Sequence, residues 1–247
     1  MNFSVIICTC NRHEKVMELV NELVGLNCGN IEIILIDSSD DEKPILSSLK
    51  TIKYHHTKHK NQPYQRFLGH ALSTYDYLLY LDDDMEIIHD NLFEKLEGYL
   101  TNTNIAGLAL KFIEAHSSTS LSEIPKSRLF GKLKWFKRFK NKFSGIPDLP
   151  PGKLGMNGNK GKQPEHIGPT EFVSGGAFLV KKSIFYHNFN FQMFDLYDEK
   201  SGKGEDAITG YGIYKQGILL YIPEVLFRHN DQQNSSYSSN IENFGFR

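Results

Sequence analysis

Three consecutive carboxylates, Asp82, Asp83 and Asp84, follow directly on the apolar run 77–81. Carboxylates this close repel one another, and at the end of a buried strand they would also be partly desolvated. A divalent cation would relieve both effects, and carboxylate oxygens suit Mg²⁺ and Mn²⁺. In extended backbone Asp82 and Asp84 point to one side and Asp83 to the other. The triplet therefore indicates a metal site at a strand end, and a solvated acidic turn that caps the following helix is the alternative.

Other polar residues also stand where predicted strands end. The apolar run 3–9 leads into Asn11 and Arg12, and the run 31–36 leads into Asp37. Apolar residues at helical spacing separate these runs, which predicts βαβ units and a parallel sheet. Sheets of this kind bind ligands outside the carboxyl ends of their strands. We therefore expect three separate segments to deliver polar side chains to one edge of one sheet.

The remaining elements are predicted from the same two periodicities. The predicted helices span about 16–25, 64–73 and 90–100, and the further predicted strands span 51–55, 105–113, 172–180, 218–222 and 225–229. The alternation breaks between 114 and 168, where a basic aromatic stretch precedes a loop rich in Gly, Pro and Lys. We expect a single domain over 1–230, with halves 1–113 and 169–230 around a variable insert, and a polar tail over 231–247.

Composition limits the classes of protein that this chain can be. Of its 247 residues 40% are hydrophobic and 23% are charged, which is typical of a globular domain and not of a disordered chain. Lys plus Arg is 28 against Asp plus Glu at 29, and this balance argues against a nucleic-acid partner. The three cysteines do not have the number or spacing of a disulfide framework or a zinc site. The amino terminus lacks the pattern of a signal peptide, and no apolar run approaches the ~20 residues of a membrane span, so we expect a cytoplasmic protein, free or resting on a membrane surface.

Six motifs, met in order along the chain, resemble family 2 glycosyltransferases of the GT-A fold. They are the opening 4–12 (SVIICTCNR), the second-strand motif 34–39 (ILIDSS), Gln65-Arg66 with Gly69, the DxD-like run 80–84 (YLDDD), the glycine pair in 173–177 (VSGGA) and Gly204-Glu205-Asp206. One such motif is a weak signal, whereas six in the order of the family are specific. The resemblance covers about residues 3–230 and leaves 114–168 unmatched. It implies an α/β fold with a mostly parallel central sheet, flanking helices and a variable acceptor-side region.

The resemblance also implies a role for each matched position. The nucleotide-sugar pocket would be lined by Thr9, Asn11, Arg12, Asp37, Ser39, Arg66, Asp82 and Asp83, with Asp37 near the base or ribose. A Mn²⁺ or Mg²⁺ ion would be held mainly by Asp84, together with Asp82 and His229, and the acceptor would lie beside Gly175 and Gly176. Asp206 would deprotonate the acceptor hydroxyl, and Glu205 would position it. The half 1–113 would thus bind the nucleotide sugar, and the half 169–230 would bind the acceptor and carry catalysis.

These roles predict an inverting, metal-dependent transfer of a sugar from a nucleotide-diphosphate donor, expected to be a UDP-sugar, to a hydroxyl acceptor. The acceptor would be a carbohydrate or glycolipid in the assembly of cell-surface polysaccharide or glycolipid. A cation that bridges the phosphates would stabilise the leaving diphosphate, and one base suffices for a single displacement with inversion.

Two other functions stay open at this point. A nucleotidyltransferase would carry a Gly-rich phosphate loop after the first strand, where this chain has 8–12 (CTCNR) without glycine. A non-catalytic, membrane-docking sensor of nucleotide sugars would bind the donor but would not need Asp206.

Each candidate residue also has an ordinary structural explanation. Asp206 could only cap a helix, where carboxylates are favoured by the dipole and the free amides. Arg66 could lie on a solvated helix face, the glycine pair Gly175-Gly176 could mark a strand bulge, and His229 could be structural.

A basic aromatic segment, 126–143, carries eight Lys or Arg residues and no acidic one. Leu129, Leu133 and Phe136 fall near one face of a possible helix there. A basic amphipathic helix with aromatic residues suits an anionic membrane surface. Packing of the segment on the domain and a clamp for the acceptor or diphosphate are the alternatives.

Overall fold

The computed structural model describes residues 1–26, 31–42, 52–114, 149–155, 160–188, 191–196 and 204–230. In this part of the chain the strands are β1 (Phe3–Thr9), β2 (Ile31–Asp37), β3 (Ile52–His56), β4 (Tyr77–Asp82), β5 (Met85–Ile87), β6 (Ile105–Glu114), β7 (Gly168–Pro169), β8 (Ala177–Lys181) and β9 (Ile218–His229). The helices are α1 (His13–Gly25), α2 (Gln62–Leu72), α3 (Leu92–Tyr99), α4 (Lys182–Asn188), α5 (Met193–Leu196) and α6 (Glu205–Tyr214). Each strand and helix predicted in the first hundred residues is present within a few residues of its expected place.

The strands form one nine-stranded sheet in the order β3-β2-β1-β4-β8-β6-β9-β5, with β7 paired to β9. β1 pairs in parallel with β2 and β4, β3 joins β2 in parallel, and β6 runs parallel to β9. β8 lies antiparallel between β4 and β6, and β5 and β7 are antiparallel to β9. Most strands therefore run in one direction, which confirms the predicted α/β fold with a mostly parallel central sheet.

Helices cover both faces of the parallel half, so its central strands are apolar on both sides. Along β1, Val5 and Ile7 belong to a core cluster that includes the buried face of α1. Ile6 and Cys8 alternate with them and belong to a second cluster, against which Leu68 of α2 packs. The strand is buried along its whole length, and its carboxyl end is therefore fixed in the middle of the sheet edge.

The strands of the second half depart from the sequence prediction. The strand predicted over 172–180, with an interruption at Gly175 and Gly176, begins only at Ala177, because the two glycines form a turn in front of it. The two strands predicted over 218–222 and 225–229 are one continuous strand, β9. Its register against β6 skips Pro223 and the next residue, as expected where proline has no N–H to offer the ladder.

Candidate active site

The acidic triplet lies at the carboxyl end of β4. The strand ends at Asp82, and Asp83 and Asp84 form a turn before β5 starts at Met85. The predicted alternation of the three side chains is therefore wrong, because it holds only for extended backbone. Asp83 and Asp84 instead share one cationic partner, and Asp82 has another.

Arg12 is the cation that Asp83 and Asp84 share. Its Nη1 donates to Oδ2 of Asp84 at 2.7 Å, its Nε donates to Oδ2 of Asp83 at 3.2 Å, and its Nη2 forms an ion pair with Oδ1 of Asp83. The Thr9 hydroxyl also donates to Oδ2 of Asp83, at 2.6 Å. Both carboxylates are buried, whereas the Arg12 side chain is 31% exposed. The ends of β1 and β4 thus meet in one polar cluster, as the sheet-edge argument predicts.

His229, at the end of β9, approaches Asp84 as a second cation. Its Nε2 lies 3.2 Å from Oδ1 of Asp84, and its Nδ1 lies 2.8 Å from Oε2 of Glu114. The hydrogen bond to Asp84 outweighs burial and raises the pKa of His229 to about 9. Burial opposes ionisation of Asp84, but the bond from His229 and the charge of Arg12 lower its pKa to about 2. Both partners are therefore charged at neutral pH.

The other two carboxylates of the triplet are harder to ionise. Burial raises the pKa of Asp82 to about 7 against the effect of Arg66, and the charges of Asp84 and Asp83 raise it further. Burial likewise raises the pKa of Asp83 to about 6, although Arg12 opposes the shift. Burial is thus the main cause of both raised pKa values, and repulsion within the triplet adds to it; an additional cation would oppose both effects.

Arg66, on α2, is the cationic partner of Asp82. Its Nη2 lies 3.5 Å from Oδ1 of Asp82 and donates to the carbonyl of Gly175 at 2.9 Å. Its Nη1 donates to Oε1 of Glu205 at 2.6 Å. Gln62 donates to Oδ1 of Asp82 at 2.9 Å from the same helix. The Arg66 side chain is only 3% exposed, so the alternative of a solvated surface arginine is wrong.

Asp37 fixes the segment that follows β2. Its side chain is fully buried, and its Oδ1 accepts from the backbone N–H of Ser39 at 2.8 Å. Its Oδ2 lies 2.9 Å from the Tyr54 hydroxyl and 3.0 Å from Nε2 of His13. These bonds, those of Ser39 first, outweigh burial and lower the pKa of Asp37. The hydroxyl of Ser39 also accepts from the backbone N–H of Asn11 at 2.7 Å, which ties the loops after β1 and β2 together.

Glu205 and Asp206 occupy the first turn of α6 and have different surroundings. Glu205 is buried and binds Arg66. The Asp206 side chain is 15% exposed, forms an ion pair with Lys160 and accepts from the backbone N–H of the next residue at 2.8 Å. One oxygen of Asp206 therefore binds an N–H group in the first turn of its own helix, and the other is held by a lysine that is itself partly exposed.

The glycine pair joins this helix to the acidic triplet. A Cβ placed on Gly175 would lie 3.7 Å from Cβ of Asp206, so the turn lies against the start of α6. The carbonyl of Gly176 accepts from the backbone N–H of Asp82 at 3.0 Å. The pair is a turn at the start of β8 that contacts both groups.

The triplet supplies the buried carboxylate oxygens of a metal site but not a complete set of ligands. Oδ1 of Asp83 forms an ion pair with Arg12 and Oδ1 of Asp84 lies 3.2 Å from Nε2 of His229, so both buried oxygens face a cation. Buried carboxylate oxygens that need a positive partner fit a divalent cation. Within the described ranges, however, no three His, Cys, Asp or Glu side chains form a group that could hold a metal ion. Since Arg12 and Arg66 hold the carboxylates toward different partners, a metal ion would have to take the place of Arg12.

Several groups of the site carry little or no sequence signal. Gln65 donates to the carbonyls of Thr9 and Ile36, at 2.9 Å each, and so joins the ends of β1 and β2. Its place next to the arginine of a matched motif could have pointed to it. Tyr54 and Lys160 have no such signal, because their parts in the site depend on tertiary packing alone.

The basic segment 126–143 and the tail 231–247 lie outside the described residues. In the portion of the chain that is described, no helix is long and apolar enough to cross a membrane. Docking of the basic segment on a membrane stays a prediction.

Comparison with known families gives one match. The profile of the family described as "Glycosyl transferase family 2" matches residues 4–159, which is more than half of the chain and includes the acidic triplet. No curated protein matches the chain.

Solved structures of two proteins share the fold. TarS 1–349 from S. aureus has a TM-score of 0.61 at 14% identity, over 93% of this chain and 60% of that chain. The same fragment in complex with UDP-GlcNAc has a TM-score of 0.63 at 13% identity, over 97% and 61%. Mannosyltransferase PcManGT from Pyrobaculum calidifontis, in complex with GDP-Man and Mn²⁺, has a TM-score of 0.62 at 11% identity, over 95% and 58%. At such identities the likeness shows the fold, and this chain spans about 60% of the length of the chains in these structures.

Proposed function

The chain belongs to glycosyl transferase family 2, and on that premise we propose that it transfers a sugar from a nucleotide-diphosphate donor to a hydroxyl group of an acceptor. One observation carries the proposal. A single sheet edge carries an acidic triplet with two buried carboxylates, and Arg66 joins Asp82 of this triplet to Glu205, the residue before the partly exposed carboxylate of Asp206. Family membership also favours sugar transfer over the nucleotidyl transfer that the sequence left open.

We assign donor binding to the carboxyl ends of β1, β2 and β4. Structures of TarS with UDP-GlcNAc and of PcManGT with GDP-Man support a nucleotide-diphosphate sugar as the donor class, and we propose a UDP-sugar. The proposed pocket residues are Thr9, Asn11, Arg12, Asp37, Ser39, Asp82 and Asp83. Because Asp37 is fully buried and both its oxygens are bonded, it would hold Ser39 and His13 in the pocket wall rather than project into the pocket.

A divalent cation, Mn²⁺ or Mg²⁺, suits the oxygen ligands of the acidic triplet. Asp84 would be the main ligand, with Asp82 and His229 beside it. When bound, such an ion supplies positive charge next to the leaving diphosphate. Arg12 would then pair with a phosphate oxygen, for which the geometry of a guanidinium is well suited. His229 would have to give up its proton to become a ligand, so metal binding would release protons.

Asp206 is the proposed general base. The acceptor hydroxyl gives its proton to the Asp206 carboxylate while its oxygen forms a bond to the anomeric carbon. The bond from that carbon to the diphosphate breaks, and the electron pair leaves on the phosphate oxygen. A single displacement of this kind inverts the anomeric configuration. Lys160 would leave Asp206 when the acceptor hydroxyl binds there. Glu205, which is buried and bonded to Arg66, would position the helix and not react.

The proposed acceptor is a carbohydrate or glycolipid in cell-surface polysaccharide or glycolipid assembly, reached at the cytoplasmic face of a membrane. The family and the basic aromatic segment 126–143 support this setting, because its cations and rings suit an anionic lipid surface. Sedimentation with vesicles tests the docking. The protein should pellet with vesicles that contain anionic lipid and stay in solution with neutral ones, and equal recovery in the supernatant would end the docking proposal.

Thermal-shift measurements with a panel of nucleotide sugars, with and without Mn²⁺, test the proposed function. A donor at about 100 times its Kd stabilises the folded state by about 2.7 kcal/mol, which raises Tm by about 5–10 °C for a chain of this size. We expect the largest shift for a UDP-sugar with Mn²⁺ and a much smaller one for Asp84→Asn. The proposal fails when no nucleotide sugar raises Tm under either condition.

A further inference from the structure

We infer that Arg66 is a positioning residue, which fixes the start of α6 and so sets the place of Asp206 relative to Asp82. The inference rests on the proposed function for the role of Asp206. Arg66 contacts three segments at once: Asp82 Oδ1 at 3.5 Å, the Gly175 carbonyl at 2.9 Å and Glu205 Oε1 at 2.6 Å. A single side chain therefore connects the triplet, the glycine turn and the helix that carries Asp206.

The depth of Arg66 distinguishes it from a residue that binds a ligand directly. Its side chain is 3% exposed, and its guanidinium carbon lies 5.4 Å from the centre of the Phe178 ring. Both terminal nitrogens are already bonded. Because the side chain is buried, a nucleotide could reach these nitrogens only if Arg66 moved outward, which would break its bonds to Glu205 and Gly175 and leave a buried carboxylate and a carbonyl without their partner. We therefore assign Arg66 an internal role in place of the nucleotide contact that the resemblance implies.

The start of α6 depends on this anchor. Gly204 precedes the helix with a φ of 101°, a left-handed conformation that favours glycine. The residue that follows this glycine, Glu205, is held by Arg66. Asp206 follows directly, and Gly175, the other partner of Arg66, packs against it.

A second contact fixes the middle of the same helix. A Cβ placed on Gly210 would lie 2.4 Å from the backbone nitrogen of Val173, so α6 packs directly on the backbone in front of the glycine turn. With its start bonded to Arg66 and its middle seated on Val173, the helix has one defined position. Loss of the Arg66 bond would free the end that bears Asp206.

Lysine is the informative substitution at this position. A guanidinium binds a carboxylate and a carbonyl at the same time through its planar fork, whereas an ammonium is a point charge on a flexible chain. Arg66→Lys therefore keeps the charge and loses the fixed geometry. Glu205→Gln removes the negative charge of the same pair with little change in volume and leaves Arg66 only a weaker, neutral acceptor.

Hydrogen exchange tests the anchor without any ligand. The backbone N–H groups of Ala207 and Ile208 donate to the Gly204 carbonyl at 3.1 and 3.3 Å, so they report the first turn of α6. We expect both N–H groups to exchange at least about tenfold faster in Arg66→Lys, since tenfold corresponds to only about 1.4 kcal/mol of local opening. Lys95→Met, which breaks an ion pair with Glu224 elsewhere, should exchange like the native chain in this turn. Unchanged exchange in Arg66→Lys and Glu205→Gln would overturn the inference.

A split between turnover and donor binding tests the consequence for catalysis. The probes are UDP in the presence of Mn²⁺ for binding and release of UDP from the best donor of the thermal-shift panel for turnover. For Arg66→Lys and Glu205→Gln we expect kcat to fall about 10–100-fold, because a displacement near 1 Å has that effect, while Kd for UDP stays within about threefold. Lys95→Met should change neither value. An unchanged kcat with a Kd weakened about tenfold would identify Arg66 as a nucleotide contact and overturn the inference.

Failure of the proposed function would be seen separately, in the native chain. A native chain that neither binds nor consumes any nucleotide sugar would refute the function and with it the catalytic role of Asp206, while hydrogen exchange would still decide whether Arg66 anchors α6. If Arg66→Lys does not fold, Glu205→Gln decides both measurements.

Discussion

Arg12 and Arg66 pair with the same acidic triplet at two different depths. Arg12 lies at the open sheet edge with 31% of its side chain exposed and pairs with Asp83 and Asp84, whereas Arg66 is 3% exposed and pairs with Asp82. Their chemistry is the same, so the difference in their roles comes from their surroundings. Arg12 can give way to a metal ion or turn to a phosphate while it stays in contact with water. Arg66 cannot move without leaving Glu205 unpaired in the interior.

A motif identifies a charged residue, but the burial of its side chain decides what the charge does. An exposed guanidinium exchanges partners easily, since exposed ion pairs contribute little to stability. A buried one is held by the high cost of leaving its partner alone. We therefore assign the sheet edge around Arg12 to binding of the donor. We assign the interior around Arg66 to support of the catalytic helix.

The largest expected effect belongs to Asp206, on the side of Arg66. Asp206→Asn removes the proposed base, so we expect turnover of the donor to fall about 10²–10⁴-fold, the range of general base catalysis. Binding of UDP with Mn²⁺ should stay unchanged, because Asp206 does not contact Arg12 or its two carboxylates. Single-turnover kinetics and a binding isotherm measure the two quantities. Unchanged turnover would remove the base assignment and leave a sensor as the better description of the protein.

The next largest effect separates the two arginines by stability. Arg66→Met leaves Glu205 buried without its partner, so we expect the free energy of unfolding to fall by about 3–5 kcal/mol. Arg12→Met should lose about 1–2 kcal/mol, because the Thr9 hydroxyl still donates to Asp83 and His229 still pairs with Asp84. Urea denaturation in the presence of EDTA measures both values. Equal losses in the two variants would contradict the distinction by depth.

A third effect concerns the affinity of the two arginine variants for Mn²⁺. If Arg12 competes with the metal ion for Asp83 and Asp84, Arg12→Met should bind Mn²⁺ about tenfold more tightly in the absence of nucleotide, since one charged hydrogen bond contributes about 1.5 kcal/mol. Arg66→Lys should bind Mn²⁺ like the native chain. Electron paramagnetic resonance of free Mn²⁺ gives the affinities directly. Weaker binding in Arg12→Met would show that the arginine does not compete with the ion.

The smallest effect concerns an ion pair at the opposite edge of the sheet, which serves as a reference for both arginines. Hydrogen bonds from Lys53, Ser4 and Thr74 outweigh burial and lower the pKa of Glu32 to about 2. A lowered pKa in the folded state contributes stability above the unfolded pKa of about 4.5, and that stability is lost as the pH falls towards 2. Because Lys53 is half exposed, we expect only about 1 kcal/mol. Between pH 5 and 2 the free energy of unfolding of Glu32→Gln should fall less steeply than that of the native chain. Turnover at neutral pH should be unchanged.

Local patterns in the sequence predict the donor side of the molecule well. The runs that become β1, β2 and β4 are mostly apolar, and parallel strands of a covered sheet need that composition. Polar residues directly after such strands must then meet at one edge, which is how Thr9 comes to bind Asp83 across 74 positions of the chain. The family of the chain could be identified from the same segments, because its motifs lie at those strand ends.

The catalytic side could not be predicted in the same way. β8 is inserted antiparallel between β4 and β6, and no periodicity within a strand reports its neighbours. The bond from Arg66 to Glu205 joins residues 139 positions apart, and Lys160 reaches Asp206 from a loop without helical or strand periodicity. The depth of each arginine follows from these distant contacts, so the sequence alone left Arg66 open as a surface residue.

Titration of the protein with UDP in the presence and absence of Mn²⁺ shows whether this sheet edge holds a nucleotide diphosphate through its acidic triplet. We expect saturable binding that requires Mn²⁺, is weakened about 100-fold or more in Asp84→Asn and is retained in Asp206→Asn. Equal binding of UDP by the native chain and by Asp84→Asn, or no binding of UDP at all, would contradict this role of the triplet.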